Sequence, residues 1–214
     1  MKIPDRPLLQ LAVDVLTTGE ALRIARLTHP HFDILEVGTP LIIEEGLHAL
    51  TALKAAFPDK LYLADLKIMD AGRIEASSAF RAGADIVTVL GAADDTTIRH
   101  ALAAAAESGG LIMADLINVG DPARRAARLE ELGVPIVCVH TAFDRQAGGE
   151  NPFDELQAVR AAVGCRVAVA GGMTRHTVNQ GVRGGAAIVV VGSAVLRAPD
   201  PGAEVRAVMD QLKE

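Results

Sequence analysis

Aromatic residues are scarce in this chain: they make up 3 % of its 214 residues, against 50 % for apolar residues as a whole. The core therefore falls to Ala, Val, Leu, Ile and Gly, the mixture expected when β-branched strands pack under Ala-rich helices. Basic clusters are missing as well. With a formal net charge of −6, a pI of about 5.5 and no run of Lys or Arg, the chain offers no electrostatic footprint for a nucleic acid. No apolar run reaches membrane-spanning length, and Met1-Lys2-Ile3-Pro4-Asp5-Arg6-Pro7 lacks the charged-then-apolar design of a signal peptide. A cytoplasmic protein with no membrane partner is the expectation. Cysteine is limited to Cys138 and Cys165, far apart inside apolar strand-like runs, which reads as two buried inert thiols rather than a disulfide or redox pair. Low-complexity segments, composition breaks and linkers are absent too. Residues 1–214 thus read as one domain, long enough to bury a substantial core.

What the chain does have is a regular alternation of short β-branched runs with longer amphipathic stretches. Eight strands are expected: Leu8–Asp14, Phe32–Val37, Leu61–Leu66, Ala84–Leu90, Leu111–Leu116, Pro135–His140, Arg166–Ala170 and Ala186–Val191. Helical patterns follow them, such as Thr18–Thr28, Pro40–Phe57 and Arg73–Ala82. Thr17 and Thr18 before Glu20, Asp94 and Asp95, Asp121-Pro122 and Thr174 fit helix N-caps, and Gly83, Gly133 and Gly164 fit left-handed helix stops. Periodicity alone leaves an open doubly wound sheet as an alternative. Eight βα units with no surplus sequence favour a single-domain (β/α)8 TIM barrel.

In a parallel barrel the strand C-termini converge on one mouth, so polar residues there matter most. Strand one ends in Asp14, strand two in Glu36, strand three in Asp65-Leu66-Lys67, strand five in Asp115 and strand six in His140; strands seven and eight run into Gly171-Gly172 and Gly192-Ser193. A single acid of this kind reads equally as a cap or a solvated loop charge; ionisable groups at five strand ends are harder to dismiss. Asp65 and Lys67, two apart in an extended segment, project to one side and imply a paired, dehydrated site, the alternative being a structural ion pair closing the mouth. Glu36 and Asp65 on neighbouring strands could share a hard cation such as Mg²⁺. His29, His31, His48, His100 and His176 fall in helices or loops and read as solvated. His140 alone ends a strand, where an imidazole serves as general acid or base or simply bonds a neighbouring carbonyl. The glycines after strands seven and eight sit where barrels commonly hold phosphate on bare backbone N–H groups, though tight βα turns use glycine anyway.

These residues resemble one family over nearly the whole chain. The carrying segments are Leu9-Gln10-Leu11-Ala12-Val13-Asp14, Glu36-Val37-Gly38-Thr39-Pro40-Leu41, Ala64-Asp65-Leu66-Lys67-Ile68-Met69-Asp70-Ala71-Gly72, Val87-Thr88-Val89-Leu90-Gly91, Asp115-Leu116-Ile117-Asn118-Val119, Val139-His140-Thr141 and Val169-Ala170-Gly171-Gly172. They resemble the 3-hexulose-6-phosphate synthases, within the wider group marked by Asp65-x-Lys67-x-x-Asp70 that also holds orotidine monophosphate decarboxylase and 3-keto-L-gulonate 6-phosphate decarboxylase. Orotidine decarboxylases carry a lysine where Glu36 stands and use no metal, so Glu36 points to the Mg²⁺-dependent branch. Gulonate decarboxylases have a glutamate where Asp115 stands and an arginine where Phe143 stands; both departures favour the synthase.

The resemblance implies an aldehyde-lyase that condenses formaldehyde with D-ribulose 5-phosphate to D-arabino-3-hexulose 6-phosphate through an enediolate. It implies Mg²⁺, with Mn²⁺ as substitute, held by Glu36 and Asp65. His140 would remove the carbon 1 proton and Lys67 would add positive charge near the developing oxyanion. Asp14 and Asp115 would bind or orient sugar hydroxyls, and Gly171, Gly172, Gly192 and Ser193 would fix the phosphate. Asp70, which otherwise reads as a helix N-cap, would enter the site of a neighbouring subunit, giving a homodimer with composite active sites. The alternatives are a gulonate-type decarboxylase, which passes through a similar enediolate, and a catalytically idle sugar-phosphate-binding barrel.

Overall fold

In the computed structural model, which describes residues 3–146 and 151–212, the β-branched runs form eight parallel strands closed into a barrel. The strands are β1 (Leu8–Val13), β2 (Ile34–Val37), β3 (Leu61–Ile68), β4 (Ile86–Leu90), β5 (Leu111–Asp115), β6 (Ile136–His140), β7 (Arg166–Ala170) and β8 (Ile188–Val191), in sequential order with β8 pairing back onto β1. Around them run α1 (Thr18–Thr28), α2 (Thr39–Glu45), α3 (His48–Ala56), α4 (Gly72–Arg81), α5 (Asp95–Ser108), α6 (Pro122–Glu131), α7 (Phe143–Gln146), α8 (Phe153–Ala162), α9 (Val178–Arg183), α10 (Ser193–Leu196) and α11 (Pro201–Leu212). Among the described residues no helix is long and apolar enough to cross a membrane.

Strand residues alternate between two cores. Outward-facing Leu9, Leu11, Leu35, Val87 and Val137 pack under the helices. Inward-facing residues stack in tiers, each supplied by alternate strands, because the register advances about one residue per strand around a closed barrel. Ile34, Ile86, Ile136 and Ile188 form a sealed apolar tier, each side chain fully buried and contributing on the order of 1.5–3 kcal/mol relative to exposure. Above it lie Gln10, Leu63, Met113 and Ala168, then Glu36, Thr88, Cys138 and Val190, then Ala12, Asp65, Asp115 and Ala170. Polarity therefore rises from the isoleucines towards the C-terminal mouth, where His140 stands.

Several local expectations are met. The side chains of Thr17, Asp94 and Asp121 accept from the backbone N–H of Glu20, Thr96 and Arg124 and so cap α1, α5 and α6. Gly83 and Gly133 adopt φ of 107° and 96°, the left-handed stops expected of them.

Others are corrected. The continuous helix expected over Pro40–Phe57 is two helices, because Gly46 at φ 64° ends α2 with its N–H on the Ile42 carbonyl. Thr174 does not cap a helix: its hydroxyl and backbone bind Thr177 and His176 in a turn ahead of α9. Gly164 is no left-handed stop, since α8 ends two residues earlier and the Gly164 and Cys165 N–H groups donate to Glu130 Oε1 at 2.9 and 2.6 Å. Phe32 and Asp33 precede β2 instead of opening it, and β3 runs on to Ile68 through an irregularity. Cys138 is buried inside the barrel as expected, whereas Cys165 is only half-buried; both are free thiols.

Candidate active site

The strand C-termini enclose a cavity of about 770 Å³, within the range of small-molecule sites. Asp14, Glu36, Asp65, Lys67, Asp115 and His140 line it, and so do Gly171, Gly172, Gly192 and Ser193 on the β7 and β8 side. Of the sequence-predicted site residues, Asp70 alone is not brought there. It is exposed beside α4, and its Oδ1 accepts from the Ala71 N–H at 2.7 Å, so it forms no true cap of the helix that starts at Gly72.

Asp65 is the hub of the β2–β4 side. Lys67 Nζ pairs with its Oδ2, Thr39 Oγ1 donates to the same oxygen at 2.7 Å, and Thr88 Oγ1 donates to Oδ1 at 2.8 Å. Lys67 reaches Asp65 by a route that simple alternation does not describe. The β3–β4 register shifts between Ala64 and Ile68, and Lys67 takes a left-handed φ of 48°, with its backbone N–H on Thr88 Oγ1 at 2.9 Å. A non-glycine residue held there costs on the order of 1–3 kcal/mol, strain of the kind that clusters at functional sites. Burial works to raise the Asp65 pKa, but the charge and hydrogen bond of Lys67, with the hydrogen bonds of Thr39 and Thr88, outweigh it and hold the carboxyl below its ordinary range. Burial likewise works against the Lys67 ammonium, and Asp65 outweighs it, leaving Lys67 raised.

Glu36 is buried one tier lower, on the cavity wall. Its Oε2 accepts from Gln10 Nε2 at 2.6 Å. Burial, then repulsion from Asp65 and Asp14, pushes its carboxyl well above the ordinary glutamate range. Asp14 stands at the open mouth but is walled on its inner side; that desolvation, then repulsion from Asp65, raises it too. Gly38 leaves room for it, since a Cβ there would overlap the Asp14 carboxylate and displace it.

On the opposite wall His140 Nδ1 meets Asp115 Oδ2 at 2.8 Å, while Asp115 Oδ1 accepts from the Ile117 N–H at 2.9 Å. A carboxylate only accepts, so Nδ1 is the donor of this pair, and the neutral imidazole in that tautomer carries its lone pair on Nε2.

Glu36 and Asp65 suit a hard divalent cation. Their donors are carboxylate oxygens, their mutual repulsion is what such a cation relieves, and Glu36 Oε1 is engaged in no hydrogen bond among the described residues. Among the described residues no three His, Cys, Asp or Glu side chains converge on a common point. A cation held by these two would thus complete its shell with water and substrate oxygens, as Mg²⁺ commonly does.

At the β7 and β8 ends, Gly171 and Gly172 adopt φ of 99° and 70°. A Cβ on Gly171 would overlap the Thr141 carbonyl oxygen, so only glycine lets the two backbones approach. Arg197 lines the same part of the cavity, its guanidinium 5.8 Å over the Phe143 ring.

Gln10, Thr39, Thr88 and Arg197 also line the cavity, and the sequence reading gave none of them a role there. For Gln10 and Thr88 a signal existed. Each is a lone polar residue in an apolar strand, in phase with the inward-facing positions.

The sequence matches the orotidine 5'-phosphate decarboxylase / HUMPS family over residues 7–208. It is 43 % identical to the 3-hexulose-6-phosphate synthase of Bacillus subtilis (strain 168) over 205 residues, 95 % of this chain and 97 % of that one. With the 3-hexulose-6-phosphate synthase of Methylomonas aminofaciens it shares 46 % over 197 residues, 92 % of this chain and 94 % of that one. The crystal structure of 3-hexulose-6-phosphate synthase from Salmonella typhimurium superposes with a TM-score of 0.94 at 43 % identity, covering 96 % of this chain and 98 % of that one.

Proposed function

Since the chain belongs to the orotidine 5'-phosphate decarboxylase / HUMPS family and is an enzyme of the hexulose-phosphate synthase kind, we propose that it condenses formaldehyde with D-ribulose 5-phosphate in a divalent-cation-dependent aldol reaction. The observation that carries this reading is the pairing of the Asp115–His140 dyad with the Asp65–Lys67 pair across one cavity. A positioned base then faces a positive charge where an oxyanion would develop.

His140 Nε2 takes a proton from carbon 1 of ribulose 5-phosphate, and the electron pair spreads onto the carbon 2 carbonyl oxygen as an enediolate. Asp115 holds the imidazole in the required tautomer and offsets the charge it gains. Lys67 brings its ammonium to the oxyanion side, fixed there by Asp65. Carbon 1 then attacks the formaldehyde carbon; the new C–C bond forms, the aldehyde oxygen takes up the proton carried by His140, and the former ketone becomes carbon 3 of the hexulose. Mg²⁺ or Mn²⁺ bound by Glu36 and Asp65 would supply Lewis-acid polarisation of the substrate oxygens. Asp14 orients sugar hydroxyls at the mouth, while the backbone of Gly171, Gly172, Gly192 and Ser193 receives the phosphate.

The enzyme acts as a cytoplasmic homodimer in this reading. Asp70 and the exposed apolar side chains of Leu16, Ile43, Met69 and Ile74 lie on three successive βα units, and a second copy covering them would carry Asp70 to the neighbouring site. The deciding assay is formaldehyde-dependent consumption of ribulose 5-phosphate by the purified protein with Mg²⁺. Predominant CO2 release from 3-keto-L-gulonate 6-phosphate would overturn the synthase assignment, and sugar-phosphate binding without turnover would leave a binding barrel.

A further inference from the structure

The Gln10 side-chain amide is engaged at one end only. It is 2 % exposed, in the tier directly above the isoleucines, and it is the only member of that tier able to hydrogen-bond, its companions being Leu63, Met113 and Ala168. Nε2 donates to Glu36 Oε2 at 2.6 Å. Oε1, by contrast, is the single buried side-chain nitrogen or oxygen without a hydrogen-bond partner among the described residues. Turning the amide round would not help, because a carboxylate that ligates a cation is acceptor-only and would face another acceptor. The residue also lines the cavity beside Glu36, with Oε1 itself closed off from the open space. A position needed only for packing would be filled more favourably by leucine or methionine, which leave no polar atom to satisfy.

We propose that Gln10 is an outer-sphere positioning residue for the divalent cation: Nε2 holds the ligand Glu36, and Oε1 accepts a hydrogen bond from a water of the cation's own shell. The proposal deepens the functional reading above and rests on the cation in it. Its chemical sense follows from the donors available. Two carboxylates leave most of the coordination shell to water and substrate, such waters are held by outer oxygens, and removal of an outer partner typically weakens metal binding about 10- to 100-fold.

The test is Mn²⁺ affinity of the full chain, read from the electron paramagnetic resonance of the free aquo ion, with melting temperature in EDTA measured alongside. Gln10→Leu and Gln10→Met are each expected to weaken Mn²⁺ binding by about 10- to 100-fold. Melting in EDTA is expected to fall, because Glu36 Oε2 loses the one hydrogen bond the described residues give it, so Mn²⁺ affinity and not melting decides. The unbranched methionine follows the path of the glutamine and serves if the leucine variant does not fold. Variants that bind Mn²⁺ as the native chain does, whether or not their melting temperature falls, overturn the proposal alone. A native chain that binds no Mn²⁺ overturns the cation reading together with it.

Discussion

His140 and Asp115 face each other across adjacent strands at 2.8 Å, an arrangement that fixes which imidazole nitrogen carries the proton. His140→Gln is therefore expected to lower kcat about 10²- to 10⁴-fold, with KM for ribulose 5-phosphate changed far less. Asp115→Asn, which can leave the wrong tautomer, should lower kcat in the same sense. Steady-state kinetics decide: a His140→Gln variant retaining roughly a tenth or more of native kcat removes the dyad from proton transfer.

Lys67→Met should lose turnover and also melt at a lower temperature, because a buried carboxylate would keep Thr39 and Thr88 but lose its counter-charge. Normal turnover with only a lower melting temperature would reduce the pair to scaffold.

Chelation supplies the next expectation. Turnover should vanish in EDTA and return on adding Mg²⁺, without change in the far-ultraviolet circular dichroism, since Glu36 and Asp65, the proposed ligands, sit in a closed barrel whose strands pair through their own backbones. Full activity in EDTA would take the cation out of the mechanism.

Stability should carry the mark of Glu36. Burial and repulsion raise its pKa in the folded chain, so the folded state holds that proton more tightly than the unfolded state. The associated stability is fully present below the ordinary glutamate value, about 4.3, and is lost as pH climbs through the raised one. Thermal melting in EDTA across that interval should show Glu36→Gln falling less steeply with pH than the native chain. Identical slopes would contradict the shift.

Gly171→Ala should destabilise the fold by on the order of 1–3 kcal/mol through its left-handed φ alone, with the Thr141 overlap added to that. It should also raise KM for the sugar phosphate by moving the adjacent backbone. A silent substitution, by melting and by KM, would show that the turn has room to relax.

Much of this architecture was legible in the sequence, because period-2 apolar runs between amphipathic stretches leave few alternatives. The acids and the histidine at strand ends were legible for the same reason: in a parallel barrel, position along a strand fixes height in the molecule. What escaped depends on backbone detail. Nothing in Leu66-Lys67-Ile68 announces a left-handed lysine, and it is the register shift beside Thr88 that makes that conformation useful. The break at Gly46 was hidden by an apolar pattern that continues across it. Gln10 was passed over because a single polar residue in an apolar strand carries little weight until its inward phase and its neighbour Glu36 are known.

The isoleucine tier makes the barrel a cup and not a tube. Among the described residues the cavity opens at the C-terminal rim, with Phe143 and Arg197 in its wall, so reactants and products share that side. On the proposed reaction, a phosphorylated ketose seated at that rim would leave passage only for a small second reactant, so the dead end at the bottom would double as a sieve on its size.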